Sequence, residues 1–180
     1  MLPDPLHPAI VHLPIAFAVL VPGLAVLGTW LIYKNILPAR SWILIVFLQA
    51  LLVGTGWLAL ETGEREEDRV ERVVAEDPIE SHEEAAERFF LLAGIGLLVS
   101  GAGLLPRQGG TMGRIAGTAA TMAVLAAGIS VGHSGGQLVY EHGAANAYLD
   151  LEAPDAMGSV GWVGEAADGR GGDNGSDDDD

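Results

Sequence analysis

The stretch Ala9-Ile10-Val11-His12-Leu13-Pro14-Ile15-Ala16-Phe17-Ala18-Val19-Leu20-Val21-Pro22-Gly23-Leu24-Ala25-Val26-Leu27-Gly28-Thr29-Trp30-Leu31-Ile32-Tyr33 contains no Asp, Glu, Lys or Arg. An apolar run of about 25 residues crosses a ~30 Å hydrocarbon core with room for tilt. The residues before it, Met1-Leu2-Pro3-Asp4-Pro5-Leu6-His7, also lack Lys and Arg. A secretory signal needs a basic opening, a shorter apolar stretch and a small-residue cleavage site, so the run reads as a retained membrane helix.

Three more runs follow, at about 41–60, 88–105 and 115–132. Each is span-sized or close to it, and Pro106 closes the third. Hydrophobic residues make up 49% of the chain and charged ones only 18%, a membrane-protein balance. Residues 1–150 therefore read as one four-span membrane domain and 151–180 as a flexible acidic tail, ending in Asp177-Asp178-Asp179-Asp180. The expected fold is all-α: an integral membrane four-helix bundle with a short extramembrane helix between spans two and three, and a disordered tail.

Trp30, Tyr33 and Trp42 flank the first short connection, where an aromatic belt is expected. Gly128 with Gly132, and Ala119, Ala123 and Ala127 at four-residue spacing, predict a small-residue packing face on span four. In the long connection, Val70, Val73 and Val74 form an apolar stripe on a charged helix over 64–76, which Pro78 ends. Ser81 and Glu84 match a capping box for span three.

The short connections carry Lys34 and Arg40, and Arg107 and Arg114, without an acid. The positive-inside rule makes them cytoplasmic and puts both termini outside. Arg65, Arg69, Arg72 and Arg88 in the long connection count against that assignment, although glutamates interleave them. The lipid bilayer is the first partner implied, and a homo-oligomer is compatible with the composition. The net charge of −15 leaves no basic stripe for nucleic acid. No cysteine is present, which excludes disulfides, thiolate metal sites, iron–sulfur clusters and covalent c-type haem.

The five histidines, His7, His12, His82, His133 and His142, fall at one face of the bilayer under this topology. Neutral imidazole is the commonest metal ligand, and two imidazoles from different helices can clamp a haem iron. His82 is expected in the first turn of span three, where the helix dipole disfavours its cationic form. His12 and His82 are the expected first ligand pair for a transition metal or haem b; His7, His133 and His142 are further cofactor-binding candidates. Glu61, Glu141 and Tyr140 stand nearby as further ligands or supporting partners. The plain alternative is that the histidines are interfacial and structural. No nucleophile–base pair or phosphate-binding loop accompanies them, so the chain reads as a binding protein rather than an enzyme on its own.

His7-Pro8-Ala9-Ile10-Val11-His12-Leu13-Pro14-Ile15-Ala16 and Gly132-His133-Ser134-Gly135-Gly136-Gln137-Leu138-Val139-Tyr140-Glu141-His142-Gly143 resemble the signature ends of a bacterial membrane-protein family catalogued as domain of unknown function 2231. The resemblance covers about residues 5–145. Leu13 stands where that family usually has an aromatic residue, and the place of His133 is not always histidine there. The resemblance implies a four-helix domain of the bacterial cytoplasmic (inner) membrane. Members joined to cytochrome-type or Rieske-type modules make a cytochrome or other redox protein the implied partner. The combined expectation is a haem- or metal-binding protein for electron transfer or redox sensing, with a non-catalytic scaffold or partner subunit as the alternative.

Overall fold

The computed structural model describes residues 5–151. Within them the chain is helical: α1 (His7–Ile10), α2 (His12–Tyr33), α3 (Ile43–Val70), α4 (Glu76–Gly101) and α5 (Arg107–Tyr140), with short 3-10 turns at Ala39–Trp42, Ala102–Leu104 and Ala144–Leu151. No strand occurs among the described residues. Four helical stretches are long and apolar enough to cross a membrane: His7–Tyr33, Ala39–Val70, Glu76–Leu104 and Arg107–Tyr140. Residues up to Ala147 form one compact unit; a second begins at Tyr148 and is described only to Leu151. The acidic tail expected from 151 otherwise lies outside the described residues.

In the first unit α2 packs on α3 and α5, and α4 packs on α3 and α5. Large side chains point away from these contacts: Leu13, Val19, Phe47, Trp57, Leu91, Leu98 and Ile129 are exposed. Small residues fill the interior, among them Ala18, Ala25, Gly56, Ala93, Gly96, Ser100, Gly113 and Gly117. Apolar matter outside and small residues inside is the arrangement lipid favours, because helices in a bilayer associate by close backbone approach.

The packing face of α5 agrees only in part with the small-residue face expected: Ala127 packs on the core cluster of Ala18, Leu52, Phe89, Ala93 and Val124, and a Cβ at Gly128 would stand 3.3 Å from Phe89 and 3.6 Å from Ala18. Its buried residues are Gly110, Gly113, Arg114, Gly117, Thr121, Val124 and Leu138. Ala119 and Ala123 are exposed, and a side chain at Gly132 would meet nothing within 4 Å. The glycines at 110, 113 and 117 admit the turn 102–105 and Ser100 of α4, contacts that alanine methyls would block.

Trp42 is also placed differently. It does not sit in the lipid interface; it is fully buried, and its indole N–H donates to the Ser100 carbonyl (2.8 Å). It packs with Val21, Ala25 and Ile45. Gly103 and Gly117 leave the room its ring occupies. Trp30 and Tyr33 remain exposed, as an aromatic belt requires.

The extramembrane helix expected over 64–76 is not a separate element. α3 continues unbroken from the apolar run to Val70, since Glu and Arg are good helix formers and nothing in 61–70 stops the helix. Pro78 does not end a helix; it lies in the first turn of α4, which begins at Glu76 after Ala75. Proline is tolerated there because the first amides have no intrahelical partner. Ser81 is consequently interior to α4 and caps nothing. The valine stripe is partly used: Val74 is buried with Ile79, Leu138 and Ala144, and Val70 packs on them, while Val73 is exposed.

Candidate functional site

The start of α1, the end of α3, the start of α4 and the end of α5 meet at one end of the helices. The carboxylate of Glu66, on the polar extension of α3, accepts from the backbone N–H groups of Leu6 (2.7 Å) and His7 (3.0 Å). It thereby caps α1 and fixes His7 over α3. The His7 ring lies against Gly63, within 3.3 Å of where a Cβ would stand. The His82 ring lies closer still to Gly135, at 3.0 Å from the Cβ position. The two imidazoles meet edge to face, with centroids 6.5 Å apart and planes at 84°.

Hydrogen bonding sets the tautomers. His7 Nδ1 is 2.9 Å from the Ala59 carbonyl oxygen, which only accepts, so Nδ1 carries the proton and the bare nitrogen is Nε2. Thr62 Oγ1, 3.3 Å from the same nitrogen, shares that proton while donating its own to Leu58 O (2.9 Å). His82 Nδ1 is 3.0 Å from Ser134 Oγ, whose hydroxyl donates to Val131 O (3.1 Å). With the Ser134 proton on the Val131 carbonyl, His82 donates from Nδ1 as well; with that proton turned to Nδ1, His82 carries its own on Nε2. Neutral His7 thus leaves Nε2 with a free lone pair, and His82 does the same in the tautomer that donates to Ser134.

The other sequence candidates stand apart from this pair. His12 is exposed and donates from Nδ1 to Pro8 O of its own helical turn (2.7 Å); the structure brings His82 together with His7, not with His12. His133 and His142 are exposed. Glu61 pairs with Arg65 one turn on (2.8 Å), Glu141 accepts weakly from Gln137 (3.4 Å), and Tyr140 is exposed. Among the described residues no group of three or more His or carboxylate side chains converges in a way that holds a metal ion. Glu66, Ser134, Gly63 and Gly135 position the pair, and no spacing or motif in the sequence marks them for it. The only sequence signal for them was that both glycines neighbour residues flanking the bilayer.

His82 lies outside the apolar part of α4, which begins at Phe89 after Glu83, Glu84, Glu87 and Arg88. Burial, then the neighbouring His7, hold its pKa below the ordinary 6.5, against an opposing effect of the Val131 carbonyl. The helix dipole is not the cause, since His82 is more than a turn past the start of α4 and that field fades within a turn. Glu83 moves the other way, raised by burial and then by Glu67, Glu87 and Glu64.

Between the lowered folded value and 6.5, the unfolded chain holds more protons on His82 than the folded chain does. Stability contributed by neutral His82 therefore falls as pH drops through 6.5 and levels off below the folded-state value. Glu83 has the opposite sign: its contribution is complete below 4.5 and is lost as pH rises through the raised value. In chelator-treated protein, thermal melts from pH 7.5 to 5.5 should show a falling midpoint for the parent and a flatter profile for His82→Gln. Parallel profiles would remove His82 as the source.

No family profile, curated protein or solved structure matches the chain.

Proposed function

We propose that this is a multi-pass protein of the bacterial inner membrane, a four-helix bundle with both termini outside, whose outer end binds a transition-metal ion or haem iron through His7 and His82. Its role in this reading is electron transfer or redox sensing, with a cytochrome or other redox protein as partner. One observation carries it: two imidazoles from different helices meet edge to face, centroids 6.5 Å apart, each with Nδ1 anchored to a protein oxygen. Metal-binding histidines are oriented in this way by an acceptor on the other ring nitrogen.

The donor set fits a small ion better than a porphyrin. The rings sit tightly against Gly63 and Gly135, at 3.3 and 3.0 Å from where a Cβ would stand. Two protein nitrogens leave coordination positions for water or for a group from a partner. The bound metal would supply one-electron chemistry, while Glu66, Thr62 and Ser134 hold the ligands in place. The cluster of Lys34, Arg40, Arg107 and Arg114 at the other end supports the orientation. The two histidine-bearing segments support a place in the family of domain of unknown function 2231.

Protein purified in mild detergent and loaded with Cu, Ni or Zn should bind about one ion per chain, and binding should fall ten- to a hundredfold in His7→Gln and in His82→Gln. His12→Gln should leave it unchanged. Elemental analysis and the visible spectrum, including a Soret band, check the result; a colourless, metal-free chain that binds none of these ions overturns the reading. The lack of a third converging donor among the described residues favours a second reading, a non-catalytic scaffold or partner subunit in which the pair joins α1 to α4. That reading has both variants lowering thermal stability with no ion bound by the parent.

A further inference from the structure

At the end opposite the histidines, the guanidinium of Arg114 lies inside the protein, with only 8% of the residue exposed. It donates to the Gly103 carbonyl (2.9 Å) and to Thr111 Oγ1 (3.1 Å). Those two bonds leave three of its five N–H groups uncommitted. The helices carry no carboxylate at this end. The chain has no Asp or Glu between Pro5 and Leu60, or between Arg88 and Tyr140. A buried cation without a counter-ion is costly, and in membrane proteins such a group marks a binding site or pathway.

Two cavities meet at this residue. The smaller, about 220 Å³, is walled by Arg40, Arg107, Arg114, Leu105 and Gly103. The larger, about 940 Å³, runs from the 34–39 connection along α2 and α5, past Tyr33, Trp30 and Ile115 to Val26. Ala39 and Arg114 line both. The small cavity is thus cationic and level with the connections, whereas the large one is mainly apolar and extends toward the middle of the helices. Arg107 holds a left-handed backbone conformation (φ 58°), which costs ~1–2 kcal/mol in a non-glycine residue, at the rim of the cationic cavity. Exposed Trp30 and Tyr33 mark this level as the headgroup region.

We propose that this end is a binding site for an anionic phospholipid, with its phosphate against Arg114, Arg40 and Arg107 and an acyl chain in the larger cavity. An ion alone would use the small cavity and leave the large one without a role. A neutral hydrocarbon would leave Arg114 without a counter-charge. Basic pockets between membrane helices recognise anionic headgroups by this chemistry.

Native mass spectrometry of the full chain in mixed micelles tests it, with phosphatidylglycerol and phosphatidylcholine supplied in equal amounts. The parent should retain phosphatidylglycerol about tenfold over phosphatidylcholine. Arg114→Gln should abolish that preference. The double variant Arg40→Gln, Arg107→Gln changes exposed side chains and should reduce the preference even if Arg114→Gln does not fold. Val26→Trp, which fills the apolar cavity, should lower retention of both lipids. Equal retention of the two lipids by the parent overturns the proposal, as does an unchanged preference in the double variant. Complete displacement of phosphatidylglycerol by millimolar inorganic phosphate would assign the site to free phosphate and overturn the lipid as its occupant.

Discussion

Gly113→Ala is expected to prevent the native packing of α4 against α5. A methyl group at this position would collide with the backbone of Ala102 and Gly103, including the Ala102 carbonyl oxygen at 2.5 Å. Backbone atoms in a tight turn cannot rotate away as the end of a side chain can. The helices would have to separate, and that separation would also open the seats of Ser100 and Trp42 against Gly117. Overpacking a well-filled core usually costs about 1–3 kcal/mol, and a backbone collision belongs at or above the top of that range. The check is the yield of monodisperse protein in detergent and its melting midpoint. Gly132→Ala is the control: a side chain there meets nothing within 4 Å, and alanine favours the helix, so its midpoint should hold or rise. If Gly113→Ala melts like the parent, the close approach of α5 to the 102–105 turn is wrong.

Trp42→Ala carries the second large effect. The ring is completely buried, it touches elements from every other span through Val21, Ser100 and the Gly103 and Gly117 backbone, and its removal leaves a cavity at their junction. Large-to-small changes of this kind cost about 3–5 kcal/mol. Trp42→Phe separates packing from hydrogen bonding, because it keeps most of the ring but deprives the Ser100 carbonyl of its donor; its cost should be nearer ~1–2 kcal/mol. Trp57, 54% exposed, should tolerate alanine with little loss. Chemical or thermal unfolding in one detergent ranks the three variants, and equal losses for Trp42→Ala and Trp57→Ala would place Trp42 in the lipid-facing shell after all.

The four apolar helices were legible because span length is set by the bilayer and requires no knowledge of tertiary contacts. Helix ends were harder. Proline, Ser-x-x-Glu and a charged stretch are signals of a boundary, but at 61–81 good helix formers carry α3 onward and Pro78 fits a first turn as well as it would fit a stop. Trp42 shows a second limit: an aromatic residue beside a connection satisfies an interface and a core equally, and only the facing glycines at 103 and 117 decide between them.

The histidines divide similarly. Their gathering at one end follows from topology, so it could be read by counting spans. Which two of them meet depends on α1, a single turn held by Glu66 from sixty residues away, and a contact that distant leaves no local periodicity. The buried, unpaired oxygens of Gln49 and Ser100 were likewise invisible in runs that read as apolar filler.

The unbroken passage of α3 from apolar to charged residues also bears on where the protein can reside. Its apolar part, Ile43–Leu60, spans about 27 Å at the ordinary helical rise, after which Glu61, Glu64 and Arg65 follow on the same rigid rod. With no flexible joint between the two parts, the chain cannot lengthen its greasy section by unwinding a linker. It can meet a thicker hydrocarbon layer only by drawing carboxylates toward the acyl chains or by thinning the lipid around it. A hydrocarbon layer thicker than this part of α3 would therefore meet Glu61, Glu64 and Arg65, a mismatch that tilting the helix does not relieve.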